Sequence, residues 1–438
     1  MTSETTTRDP SMEQTAAGIS NSRNLVNDLS CSSKDRETIR TLAGRVAALA
    51  SRPLELEKSK LWMAHNDLAS VRPLIFCDPE NGWNEIIGQD RIQCATPLLR
   101  IWEMQLRKEI FWAEEMQDDR VIEPFFNVPY CYLDTGWGLE AVKHSGGNDG
   151  SYVWDAPLID YETCLPMMHF PRIMVDHETT QKVLELADTL LGDILTVRLK
   201  GSWWWTLGLT WEFITLRGLT NFMLDMYDNP DGIHRTMAFL RDGTLARLEF
   251  LEKESLLSLN TGGTYVGSGG FGWTSQLPAP DLNTNRVRLR DMWGFCESQE
   301  TVGVSTEMFA EFVFPYQLPI LEKFGLNCYG CCEPLDPRWN VIQKVPRLRR
   351  VSCSPWSDIP KMAELLGNKY IMSLKPSPSP LALPSLDKEA CRKNLRELLR
   401  QSRGCVVELI MKDNHTLGGN PANATEWCRI AREEIARL

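Results

Sequence analysis

The sequence predicts an α/β protein: a (β/α)8 TIM-type barrel with an N-terminal helical extension and long loops over the mouth. Three observations predict it. Short apolar runs, each closed by Gly, Pro, Asp or Asn and followed by a helical stretch, recur through the second half, and successive βα units imply a parallel sheet. No G-x-G-x-x-G follows the first strand, so an open dinucleotide-binding sheet would lack its phosphate loop and a closed barrel fits better. The 438 residues exceed the ~250 of a plain barrel and leave room for an extension and insertions.

Taken in order, residues 1–34 are polar and Thr/Ser-rich with no hydrophobic run, and read as a disordered leader ahead of a single domain over 35–438. Ile39, Leu42, Val46 and Leu49 recur at helical spacing until Pro53, which marks the helical extension. Strands are expected near Pro73–Cys77, Trp203–Leu209, Leu256–Leu259, Met292–Phe295, Gly325–Tyr329, Arg350–Cys353, Tyr370–Leu374 and Val406–Met411. Helices are expected over Thr306–Lys323, Pro337–Lys344, Ile359–Leu366, Lys388–Gln401 and Ala424–Ala436. Two irregular stretches stand out, Asn127–His169 and the Gly-rich Asn260–Asn285. The second interleaves its glycines with Tyr265, Phe271 and Trp273, which predicts an ordered loop over the barrel mouth.

The balance of 47 basic against 58 acidic residues, without a basic run, argues against nucleic-acid and membrane-surface binding. No apolar stretch reaches the ~20 residues of a membrane span. The thirteen cysteines are odd in number and scattered, unlike a secreted disulfide framework, which points to a reducing, cytoplasmic setting. No G-x-S-x-G, H-E-x-x-H or P-loop is present.

In a parallel barrel the chemistry gathers at the C-terminal ends of the strands. The densest cluster there is Asn327-Cys328-Tyr329-Gly330-Cys331-Cys332-Glu333, where thiols and a carboxylate leave one strand together. Thiolates with carboxylates suit zinc, and Cys331, Cys332 and Glu300 are the candidate metal ligands, against the alternative that such cysteines are core residues. Glu297 and Glu300 follow the preceding strand and are either a solvated loop or a ligand and a base. The last strand runs into Lys412-Asp413-Asn414-His415. Lys412, Asp413 and His415, with Glu333, are the candidate catalytic residues, since ammonium, carboxylate and imidazole can hold an anion and move a proton; the alternative is a solvated turn. Lys375 and Trp356 after two other strands, and His65 and Asn66 before the first, are the candidate substrate contacts.

The segments Cys328–Asp336, Val351–Asp358, Tyr370–Pro378 and Val406–Thr416, in that order and each closing a strand, resemble the C-terminal half of the uroporphyrinogen decarboxylase-like superfamily. That superfamily includes the decarboxylase, the cobalamin-independent methionine synthase and the corrinoid-dependent methyltransferases. The resemblance implies methyl transfer on a small methylated substrate, with zinc as a cofactor, a corrinoid carrier protein as a partner and a homodimer as the assembly. The family's His-x-Cys falls on Tyr329-Gly330-Cys331, and its later Cys on Lys375-Pro376-Ser377-Pro378, so only Cys331 of the metal set is matched. The decarboxylase branch fits less well, because Lys412, Lys375 and Arg72 are few basic groups for a substrate with many carboxylates. Decarboxylation or another lyase reaction on a small carboxylate, and a non-catalytic module binding a corrinoid or its carrier, are the alternatives.

Overall fold

The computed structural model describes residues 19–20, 26–69, 71–145, 152–283 and 286–438. Most of the expected leader therefore lies outside the described residues. The helical extension is two helices rather than one, α1 (Ser33–Ala50) and α2 (Pro53–Asn66), because Pro53 has no N–H to continue α1 but suits the first turn of α2. Ser32 and Asp35 close a capping box at the start of α1, and Ile39, Ala43, Val46 and Leu49 form its buried stripe.

Six strands make the central sheet: β1 (Leu74–Cys77), then β4 (Trp293–Cys296), β5 (Leu326–Tyr329), β6 (Leu348–Cys353), β7 (Ile371–Leu374) and β8 (Val406–Met411). All neighbours are parallel, in the order β1-β8-β7-β6-β5-β4. Between β1 and β4 in the chain, β2 (Phe125–Val128) and β3 (Thr196–Leu199) pair in parallel as a separate sheet. A closed eight-stranded barrel is therefore not what the ladders show: among the described residues the two parallel sheets share no backbone pairing.

The second-half expectations agree with the observed strands, and Ile359–Leu366 and Lys388–Gln401 are helices with Asp358 and Asp387 accepting from the N–H groups of Lys361 and Ala390. The helix expected over Thr306–Lys323 is broken into Thr306–Phe312 and Phe314–Leu321, since Pro315 cannot continue the first piece. The expected strands at Trp203–Leu209 and Leu256–Leu259 are irregular chain. Trp203, Leu207, Leu209, Leu256 and Leu257 are buried all the same: the Trp203 indole donates to Leu256 O at 2.9 Å, and Leu207 N donates to Phe295 O at 3.0 Å.

The Gly-rich segment is ordered, as expected, and its tip reaches residues that follow the strand ends. Residues 266–272 are buried in a tight hairpin, with Tyr265 bridged to Phe271, on one face of the central sheet. Gly267 (φ +68) sits where a Cβ would meet the Cys328 side chain of β5 at 2.8 Å, and Gly269 where one would meet Ile410 of β8 at 2.5 Å. Only glycine tolerates both that backbone conformation and that closeness. One hairpin tip thus touches strands three places apart in the sheet, which requires the sheet to curl around it.

Candidate active site

Side chains on this face follow the period of two along each strand. Ser352, Ser373 and Glu408 stand in one row across β6, β7 and β8. Below them Arg350 pairs with Glu408, Nε to Oε1 at 2.9 Å, with both side chains buried. His65 Nε2 lies 3.1 Å from Glu408 Oε2, and Asn66 accepts from the Arg350 guanidinium at 2.7 Å while donating to Phe271 O and Trp273 O. Burial works against the Glu408 carboxylate, but Arg350 and His65 outweigh it and bring its pKa down to about 2. His65 and Asn66, expected at the substrate, are instead tied into this buried base, because the end of α2 packs against Arg350 and Glu408.

Past the strand ends lies a second cluster. Gly330 (φ +91) turns the chain out of β5 and leaves Cys331 buried, at 2% exposure. Ser268, at the tip of the Gly-rich hairpin, donates to the Cys331 sulfur at 3.1 Å, and the Cys332 thiol stands 3.6 Å from it. Lys412 Nζ is 3.9 Å from the same sulfur, 3.4 Å from Ser268 Oγ and 3.3 Å from Asp413 Oδ1. The Cys332 hydrogen bond, with the charges of Lys412 and Lys375 and the Ser268 hydroxyl, overcomes burial and lowers the Cys331 thiol from 9.0 to about 6. This lowering favours the thiolate form of Cys331, the form that acts as a nucleophile. Cys332 is pushed the other way, up, by its bond to Cys331, by burial and by the neighbouring charge.

Glu333 is wholly buried beneath the pair, accepting from Cys331 N and Ser298 N at 2.9 Å each. Burial and the Cys331 charge raise it to about 7. It holds the backbone of the cysteine turn and is a positioning group. Lys375 is also buried, with its ammonium donating to Ser373 Oγ at 3.4 Å, and burial lowers its pKa. Glu80, half-buried and with φ +48, is raised to about 8 by burial and by Asp78.

The expected metal set is not assembled. Glu300 Oε2 accepts from Thr210 Oγ1 at 2.6 Å, and the cation beside Cys331 is the Lys412 ammonium. Among the described residues no group of three or more His, Cys, Asp or Glu side chains is placed to hold a metal. The residues present do not fit zinc. Ser268, Cys328, Arg350, Ser373 and Lys375 line a small cleft on this face of the sheet.

Of the other expected residues, Lys412 and Asp413 join the cluster, while His415 faces outward, its Nδ1 3.3 Å from Asn81 Nδ2. Trp356 is 78% exposed. Ser268, Arg350 and Glu408 were not singled out from the sequence. The two charges did leave a signal, since an Arg and a Glu inside sheet strands must find partners when buried. Ser268 left little, being a small residue between glycines.

No family model matches the chain, and no curated protein matches its sequence. Among solved structures the fold is similar to that of a methyltransferase from Methanosarcina mazei, at 11% identity and a TM-score of 0.50, covering 86% of this chain and 99% of that one. At this identity the likeness speaks for the fold. No helix among the described residues is long and apolar enough to cross a membrane.

Proposed function

We propose that this chain is a methyltransferase of the uroporphyrinogen decarboxylase-like superfamily, acting on a small methylated substrate through the Cys331 thiolate. The observation that carries this reading is a buried sulfur held charged by Lys412, Lys375 and Ser268 just past the strand ends. The fold shared with a methyltransferase supports it. In the proposed step the thiolate attacks the methyl carbon, an S–C bond forms, and the bond from that carbon to its nitrogen, oxygen or sulfur breaks. The leaving group departs with the electron pair and takes a proton from the Lys412 side. Lys375, a buried ammonium whose one hydrogen bond among the described residues is to a neutral hydroxyl, is the proposed anchor for an anionic group on the substrate. A corrinoid carrier protein as onward acceptor belongs to this reading, as the resemblance implies.

The test is incubation with methylated amines, ethers and thioethers, followed by peptide mass spectrometry. A gain of one methylene mass on Cys331, absent in Cys331→Ser, is the expected result. Methylation nowhere, across donors that do reach the thiol, would remove Cys331 from the reaction.

A further inference from the structure

Cys332 is the one thiol of the cluster that the proposed methyl transfer does not use. Its sulfur lies 3.6 Å from Cys331 Sγ and 3.6 Å from Asp413 Oδ2, and unlike Cys331 it is partly exposed. We propose that Cys331 and Cys332 are a peroxide-reactive pair that closes reversibly to a disulfide between adjacent residues, converting the site between an active and a blocked form.

Three features of the cluster point this way. A thiolate reacts with peroxide where a thiol does not, and Lys412 and Ser268 hold Cys331 in that form. A second thiol in sulfur contact supplies the resolving group, which separates a switch from a cysteine that merely over-oxidises. The Asp413 carboxylate stands where the Cys332 proton must go. The remaining cysteines described are mostly buried, and the other pair in contact, Cys77 and Cys428, is completely so.

The chemistry balances with hydrogen peroxide as oxidant. The Cys331 thiolate attacks one peroxide oxygen, an S–O bond forms and the O–O bond breaks, and the departing hydroxide takes a proton and leaves as water. Cys331 is now a neutral sulfenic acid, so the negative charge that opposed ionisation of Cys332 is gone. Cys332 passes its proton to Asp413 and attacks the Cys331 sulfur. The S–S bond forms, the S–O bond breaks, and the hydroxide collects that proton as a second water. Two thiols are oxidised and one peroxide is reduced. A ring closed across a single peptide bond is strained, and strain makes a disulfide easier to reduce, which suits a reversible element.

The experiment treats the full chain with hydrogen peroxide and maps its peptides with and without dithiothreitol. The expected result is loss of two hydrogens within the peptide carrying Cys331 and Cys332, ahead of any change at the other cysteines, and full reversal by dithiothreitol. In Cys332→Ser, dimedone should trap a sulfenic acid on Cys331 that the native chain shows only fleetingly. Stable sulfenic or sulfinic acid on Cys331 of the native chain would overturn the proposal, as would faster oxidation at another cysteine. These readouts are masses on the chain itself, so they stand or fall separately from the methyltransferase reading, on which only the blocking role depends.

Discussion

The same face of the central sheet carries two charged clusters one above the other, and they are built in opposite ways. At the base, Arg350 and Glu408 match charge for charge, and His65 and Asn66 add hydrogen bonds to the pair. Past the strand ends, the ammonium groups of Lys375 and Lys412 converge on one polarisable sulfur, with Asp413 half open to solvent. A matched buried pair resists change, whereas cations gathered around a thiolate leave a nucleophile ready. The base holds the sheet and its hairpin together; the upper cluster is where the proposed chemistry is placed.

The comparison can be broken first at the base. Glu408→Gln leaves the Arg350 charge buried without its partner and should cost ~3–5 kcal/mol in urea unfolding, while Cys331→Ser should cost about 1 kcal/mol or less. Comparable losses in the two variants would erase the distinction. The pair should also show in acid. A carboxylate whose folded pKa is lowered to about 2 contributes stability that is complete above its unfolded value of 4.5 and lost as pH falls from there toward 2. Unfolding midpoints measured from pH 6 down to pH 3 should fall in the native chain and be flatter in Glu408→Gln.

At the upper cluster the expected effects are on reactivity. Lys412→Met should raise the Cys331 pKa by about one to two units and slow its alkylation at pH 6.5 by roughly tenfold. Lys375→Met should act in the same direction by less, and should leave stability unchanged or slightly improved, because it removes a buried cation whose hydrogen bond is to a neutral hydroxyl. Smallest of all is Trp356→Ala. With 78% of the side chain exposed, it should shift stability by less than ~0.5 kcal/mol and leave Cys331 alkylation alone.

How much of this the sequence disclosed follows from period and partner. β5 to β8 are bounded by glycines, prolines and amphipathic helices, so their limits are local facts and the sequence shows them. β2 and β3 are four residues each, Phe-Phe-Asn-Val and Thr-Val-Arg-Leu, and depend on each other for pairing. The stronger apolar run at Trp203–Leu209 drew the expectation instead. Cys331, Lys412 and Asp413 could be named because each follows a strand end. His65 and Asn66 are expected at the substrate because nothing local says that the end of α2 will pack against Arg350 and Glu408. The expected zinc set failed for a similar reason: whether Glu300 turns to Thr210 or to Cys331 is decided by a helix start ninety residues earlier in the chain. The Gly-rich hairpin shows its order in its aromatics, but its position against the sheet depends on contacts with β5, β6 and β8 that no local pattern encodes.

The central claim is that Cys331 is a thiolate at neutral pH, and the most direct measurement is the pH dependence of its alkylation by iodoacetamide, followed by peptide mass. A rate that rises through a midpoint near 6 and is level above neutrality is the result this account predicts. A midpoint near the ordinary thiol value of 9.0 would contradict it.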